Sequence, residues 1–204
     1  MRGRLFLLPA PLSAYSPAAW DPAELALQLP AKAIGLYSSL ESFIVESERS
    51  ALRLLSRFKD AQAMKNLRLN VLDEHSGESM LPFLLEDAER GADCGFLSEA
   101  GMPCIADPGA ALVAYAREKN IDVVPVSGPS SILLGLVASG LDAQRFSFLG
   151  YLPQNGDERR AYVTRMAATA LKDGMTRVFI ETPYRNKALF DDLLELLPDS
   201  LWLC

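Results

Sequence analysis

Leu97-Ser98-Glu99-Ala100-Gly101-Met102-Pro103-Cys104-Ile105-Ala106-Asp107-Pro108-Gly109 joins an apolar run to a helix-start signal through a loop of small residues. The run Cys94–Leu97 reads as a strand. Asp107 reads as the N-cap of the next helix and Pro108 as its first residue, because a cap carboxylate satisfies free amides and proline has no amide to lose there. Gly109 keeps side-chain bulk off those amides. A strand that feeds a helix through such a turn is half of a βα unit, and the turn suits a polar ligand pressed against backbone.

The same alternation extends in both directions. Strands are expected at Leu5–Leu8, Phe43–Val45, Leu69–Leu72 and Val123–Val126, and helical spacing covers Pro22–Leu29, Glu48–Phe58, Glu78–Arg90, Pro108–Lys119 and Pro129–Ser139. Alternating β and α segments predict a parallel sheet covered by helices. Ligands of such sheets sit at the carboxyl ends of the strands, here Pro9–Leu12, Glu74-His75-Ser76, Glu99–Pro103 and Ser127–Ser131. Asp21-Pro22-Ala23-Glu24 and Thr182-Pro183 carry further cap-and-proline signals. Gly140 opens a polar connection, Leu141–Arg145, that divides residues 1–141 from a smaller α/β unit, 142–204. That unit reads as a strand Phe146–Leu149, a helix ending near Lys172, a strand Val178–Ile180, a helix Tyr184–Leu197 and a strand Leu201–Cys204. A sheet so small is marginal by itself, so the second unit reads as incomplete at its C-terminus.

Bulk composition narrows the function classes. The 204 residues are 50% hydrophobic and 23% charged, ordinary for a globular chain. A net charge of −6 gives no overall attraction to phosphates, so nucleic-acid contact needs a local basic patch. Candidate bases for one are Arg49, Arg53, Arg57, Lys59, Lys65 and Arg68, with Arg159, Arg160, Arg165 and Lys172. They lack interleaved aromatics and read as solvated helix faces. Cys94, Cys104 and Cys204 lie far apart and there is one histidine, which predicts reduced thiols, a cytoplasmic location and no metal site. Leu5–Leu8 is too short and too soon broken by Pro9 and Pro11 for a secretory signal, and no segment has the length of a membrane span.

No G-x-G-x-x-G follows a strand and no P-loop motif occurs, so the common dinucleotide and phosphate cradles are absent. The loop Glu99–Asp107 and the turn Ser127-Gly128-Pro129-Ser130-Ser131 remain. From their residues alone both are either ordinary βα turns or a joint cradle for a zwitterion. Ser98–Pro103 with Ala106–Gly109, then Gly128–Ser131, resembles the tetrapyrrole (corrin/porphyrin) methylase superfamily, in particular its branch of ribosomal small-subunit RNA 2′-O-ribose methyltransferases. Asp73–Ser76, Gly150–Pro153 with Glu158–Arg160, and Glu181–Arg185 match that branch in the same order.

The resemblance implies a class III methyltransferase-like fold of two α/β domains, with S-adenosylmethionine in the cleft between them, and a homodimer. It implies RNA or the ribosomal small subunit as partner and no membrane. Carried over by position, Leu12, Ala100, Gly101, Met102, Ile105, Ser130 and Ser131 hold the cofactor, with Ile180 and Glu181 from the second domain. Glu74, His75 and Asp107 are the candidate bases for a ribose hydroxyl, His75 because its ordinary pKa lies near neutrality. Glu74 and His75 also fit simple hydrogen bonding at a strand end. The branch reads Pro-Thr-Pro-Ile-Gly-Asn where this chain has Pro9-Ala10-Pro11-Leu12-Ser13-Ala14. That departure opens two alternatives, a methyltransferase acting on a small molecule such as a tetrapyrrole, and a cofactor-binding paralogue without transfer activity.

Overall fold

The computed structural model describes residues 2–12, 21–73 and 76–204. Contacts divide the chain into two compact units, one reaching to Ser130 and the other spanning Ser131–Cys204.

The first unit contains β1 (Arg4–Leu8), α1 (Pro22–Gln28), α2 (Ala31–Ser39), β2 (Ser42–Val45), α3 (Glu48–Leu55), α4 (Ala61–Lys65), β3 (Arg68–Val71), α5 (Leu81–Leu84), α6 (Glu86–Glu89), β4 (Cys94–Leu97), α7 (Ala110–Glu118) and β5 (Asp122–Pro125). Five strands form one parallel sheet in the order β3-β2-β4-β1-β5. Side chains alternate across it, as the two-residue period of a strand requires. Phe6, Leu8, Phe43, Val45 and Leu97 pack with Leu25, Leu29, Ala33, Tyr37, Leu54 and Leu55 from α1, α2 and α3. Leu5, Ile44, Cys94 and Phe96 face the other way, onto Leu81, Leu84, Ala88, Leu112 and Ala116 from α5, α6 and α7. The unit is therefore a three-layer α/β/α sandwich, and its central strands are apolar on both faces as a covered parallel sheet demands. Pro125 sits in β5, at the sheet edge, where a missing amide leaves no ladder bond broken on the outer side.

Several local expectations are corrected. The expected helix Glu78–Arg90 is a 3₁₀ turn, Glu78–Met80, followed by α5 and α6. Pro82 lacks an amide and belongs in a first turn, so the helix restarts there. Helices α2 and α4 were not expected. The first buries only Ala33 and Tyr37, which leaves little apolar periodicity to read, and the second is five residues long.

The second unit contains α8 (Ser131–Ser139), β6 (Phe146–Tyr151), α9 (Gly156–Asp173), β7 (Thr176–Ile180) and α10 (Asn186–Leu196). Its two strands are parallel, and its small core is Leu152, Val163, Leu189 and Leu193. Leu201–Cys204, expected as a strand, has no strand partner and no regular structure. The N-cap of α9 is Asn155, whose Oδ1 accepts from the amides of Asp157 and Glu158 (3.0 and 3.2 Å). Thr182-Pro183 does not start α10, which begins at Asn186.

Tyr37 ties the helical layer to the end of β1. Its ring stacks on Phe58 with centroids 5.2 Å apart, and its buried hydroxyl donates to the Pro9 carbonyl (2.5 Å). Burial pushes its pKa far up, so it acts as a neutral donor. Tyr37→Phe leaves the Pro9 carbonyl without that donor, and urea denaturation is expected to show a loss of about 1–2 kcal/mol with an unchanged slope.

Candidate functional site

The connection after β1 leads to the helices on one face of the sheet, and the connection after β4 leads to α7 on the other. These strands are neighbours, so their loops diverge from a topological switch point, where open α/β sheets bind ligands. Here the two loops are joined. The Ala10 amide donates to the Gly101 carbonyl (2.8 Å) and the Gly101 amide donates to the Ala10 carbonyl (2.9 Å).

Gly101 makes this pairing at φ +74°, a conformation open to glycine at little cost. A Cβ there would lie 3.2 Å from Leu12 Cδ2 and 3.4 Å from the Pro129 carbonyl oxygen. A Cβ at Gly128 would lie 2.0 Å from Pro9 Cβ and 3.4 Å from Met102 Sδ. The loops after β1, β4 and β5 therefore meet within the first unit, and Leu12, Gly101 and Met102 come together as expected positions. Ala100 and Ile105 are exposed members of the same β4 loop, and Ser130 closes the β5 turn. Among the described residues the amides of Ala100 and Met102 have no protein acceptor, whereas the Gly101 amide is spent on Ala10.

A second tie fixes the other side of the loop. Glu99 Oε1 accepts from the Ser50 hydroxyl (2.7 Å), its amide donates to Glu46 Oε2 (3.2 Å), and the Glu46 amide donates to the Leu97 carbonyl (3.2 Å). Neither Glu46 nor Ser50 was singled out from sequence. The available signal was position, since Glu46 directly follows an apolar strand.

Asp107 does not cap α7. The cap is Gly109, at φ +135° and without a side-chain cap bond. Any Cβ there would lie 2.4 Å from Phe96 Cε1 and 2.7 Å from Cys104 Sγ, so glycine lets the loop close onto the sheet. The helix starts later than expected and Asp107 is left over a pocket of about 300 Å³ that Asp73, Ser76, Glu78 and Ala110 also line. Burial raises its pKa; the adjacent Ser98 hydroxyl opposes the shift and the Glu99 charge adds to it. The Ser98 hydroxyl is itself buried and, among the described residues, makes no hydrogen bond of ordinary geometry. On the far side of the pocket the Ser76 hydroxyl donates to Asp73 Oδ1 (2.8 Å). Glu74 and His75 belong to that turn but lie outside the described residues.

Ser131, Ile180 and Glu181 belong to the second unit. Ser131 and Ile180 line one cavity there, about 390 Å³, with Leu136, Thr176 and Leu203. Glu181 Oε1 accepts from the Thr182 amide (2.7 Å) and from Arg185 Nη2 (2.5 Å), while Oε2 is buried without a partner among the described residues. The Thr182 hydroxyl is engaged by Glu181 and Arg185 Nε (3.2 and 3.1 Å), which is why it caps no helix.

A parallel sheet with a pinned switch point, together with a smaller α/β unit, defines a two-unit α/β protein whose strand-end loops are its candidate ligand site. The sequence pattern of the Tetrapyrrole (Corrin/Porphyrin) Methylases matches residues 31–202, and the chain belongs to that family. It is 32% identical over 166 residues to a protein from Halalkalibacterium halodurans named ribosomal RNA small subunit methyltransferase I, a match covering 81% of this chain and 54% of that one. A protein of the same name from Micromonospora olivasterospora is 31% identical over 198 residues, with 97% and 56% covered. The chain thus spans about half the length of these curated relatives. A crystal structure of a conserved hypothetical protein from Aeropyrum pernix K1 shares the fold, with TM-score 0.65, 15% identity, and 96% and 65% of the two chains covered.

The raised Asp107 pKa has a definite sign. The folded chain binds the Asp107 proton more tightly than the unfolded chain, so the ionised carboxylate costs stability as pH rises above the ordinary aspartate value of about 3.9, and the full cost is reached above the raised folded value. Asp107→Asn is expected to raise the thermal midpoint slightly at pH 7 and to flatten its decline between weakly acidic and neutral pH, as read by calorimetric scans.

Proposed function

We propose that this chain is an S-adenosylmethionine-dependent methyltransferase whose acceptor is a ribose 2′-hydroxyl of small-subunit rRNA. The observation that carries the reading is the pinned meeting of the β1, β4 and β5 loops at the switch point of a chain that belongs to the tetrapyrrole methylases. The names of its relatives supply the RNA class. Exposed amides at Ala100 and Met102, a close backbone approach at Gly128 and the unpartnered Ser98 hydroxyl fit a compact, polar ligand such as the amino-acid part of the cofactor. Leu12, Ala100, Gly101, Met102, Ile105 and Ser130 would hold it from the first unit. Ser131, Ile180 and Glu181 would do so from the second.

The cofactor supplies a methyl group on a positively charged sulfur, already activated for in-line displacement. The chain's own residues would orient the acceptor hydroxyl and take its proton. Asp107 suits the second role, because a carboxylate with a raised pKa is a better-matched base near neutrality than an exposed one. Glu74 and His75 are the alternative bases. We further assign a homodimer as the working form and the cytoplasm as its location. Among the described residues no helix is long and apolar enough to cross a membrane.

Titration calorimetry with S-adenosylhomocysteine, combined with mass mapping of rRNA ribose methylation in cells with and without the gene, tests the reading. Binding and loss of one ribose methyl are expected. No binding at millimolar cofactor overturns it, and methylation of a tetrapyrrole instead would replace the acceptor. Asp107→Asn should keep cofactor affinity within about twofold and lower turnover by roughly 10²–10⁴, the range for removing a positioned base. Unchanged turnover would transfer that role to Glu74 or His75.

A further inference from the structure

Helix α3 carries an arginine at every fourth position, Arg49 and Arg53, and Arg57 continues the spacing into the turn that follows it. All three are exposed, while Ala51, Leu54 and Leu55 bury the opposite side of the helix in the core. A four-residue step returns to nearly the same face, so the guanidinium stems form one row that advances about 6 Å per step. The turn keeps this course, because the Ser56 and Arg57 amides donate to the Leu52 and Leu54 carbonyls (3.0 Å each).

Of the unit's other basic groups four are committed, and Arg2, Lys32, Lys65, Arg117 and Lys119 stand on separate elements or at spacings that make no row. Arg4 pairs with Asp93 (2.6 Å), Arg68 with Asp87 (2.9 Å) and Arg90 with Glu86 (2.5 Å), and Lys59 donates to the Ser38 and Leu40 carbonyls (2.9 and 2.6 Å). Arg49 and Arg53 have no carboxylate partner among the described residues. Glu48, the nearest acid in sequence, lies about 100° around the helix, where it complements the positive helix end. In a chain of net charge −6, three arginines in one row on one helix face are a local concentration of positive charge.

Its place matters as much as its charge. Ser50, next to Arg49, donates to Glu99 in the β4 loop (2.7 Å), so the start of the row is anchored beside the switch-point loops. We propose that Arg49, Arg53 and Arg57 are a phosphate-tracking surface for the RNA acceptor, with Arg49 nearest the reacting ribose. The reading of these residues as a merely solvated face is replaced by this one, which rests on the RNA reading given above. The occupant is an irregular or single-stranded RNA segment, whose repeating phosphates match an evenly spaced row and whose 2′-hydroxyl is accessible. The contacts are to backbone phosphate, so they position the strand without reading sequence.

The test is filter binding of an in vitro small-subunit rRNA transcript to the wild-type chain, to Arg49→Gln/Arg53→Gln, and to the control Arg117→Gln on α7, across 50–300 mM KCl. The double variant is expected to bind at least tenfold more weakly at 100 mM KCl, with its log–log salt slope reduced by about 1.4 from two lost phosphate contacts. The control should match wild type, and all three should melt together and bind S-adenosylhomocysteine equally. Equal RNA affinity and slope for the double variant and wild type overturns the row as the contact surface and leaves the RNA reading intact. Absence of salt-dependent RNA binding by wild type overturns both. Failure to bind S-adenosylhomocysteine overturns the methyltransferase reading alone, because RNA binding is read without methyl transfer.

Discussion

The loop cluster at the carboxyl end of the first unit's sheet is joined by two backbone hydrogen bonds between Ala10 and Gly101. Neighbouring strands whose chains depart to opposite faces leave a crevice at their ends, and loops there diverge unless something closes them. Pairing amide and carbonyl in both directions fixes separation and orientation together, which one side-chain contact would not do. It also satisfies four polar groups that the adjoining buried segments would otherwise leave without partners. The pairing needs the positive φ of Gly101, and the neighbouring approach of Gly128 to Pro9 needs the absence of a Cβ. Tyr37 then takes the Pro9 carbonyl, and Ser50 and Glu46 take both ends of Glu99. The loop ends are thus determined by bonds reaching into the rigid sheet and its covering helices.

The architecture was readable because buried parallel strands announce themselves. Phe43–Val45 and Cys94–Leu97 are apolar on both faces, and glycine, proline and serine punctuate their ends, so the α/β class and the smaller second sheet followed directly. Helix starts were less legible. Asp107-Pro108 has the composition of a cap followed by a first residue, yet steric closure of Gly109 against Phe96 and Cys104 delays α7 to Ala110. That contact is between the loop glycine and the strand before the loop, and the propensities of Asp107-Pro108 do not encode it. Thr182-Pro183 misled for a similar reason, since the hydroxyl is taken by a carboxylate and a guanidinium. Leu201–Cys204 is apolar enough for a strand but pairs with no strand among the described residues, and apolar composition alone does not make one. Within the candidate site, glycines and small residues were visible as a pattern. Glu46, Ser50 and Tyr37 were not, because their roles are tertiary hydrogen bonds.

The second unit solves a different problem, that of a two-stranded sheet with little core. Asp192 on α10 receives Arg159 Nε and Nη2 (2.7 Å each) and Arg160 Nη1 (2.7 Å) from α9, and Arg160 continues to Glu195. Burial would push the Asp192 carboxyl up, but the hydrogen bonds from Arg160 and Arg159 outweigh it and hold the group below the ordinary carboxylate range. The Arg160–Glu195 arm is solvated and contributes little. The Arg159–Asp192 pair, in which Nε and Nη2 share Oδ2, is buried, where its Coulomb gain is largely offset by desolvation. Its main effect is geometric, since sliding α9 along α10 would strand both charges without partners.

The β4 loop holds two residues, Cys104 and Ala106, at positive φ without being glycine. Such conformations cost on the order of 1–3 kcal/mol each and persist only where surrounding structure over-determines them. Here the constraints are identifiable: the Gly101 bridge on one side, the Glu99 ties beside it, and Gly109 pressed under Phe96 with Cys104 against it on the other. Only Met102 to Pro108 lie between these ties, so the two conformations are set from both ends of one short segment. Cys104 and Ala106 therefore keep their positive φ inside a short segment tied at Glu99 and Gly101 on one side and at Gly109 on the other.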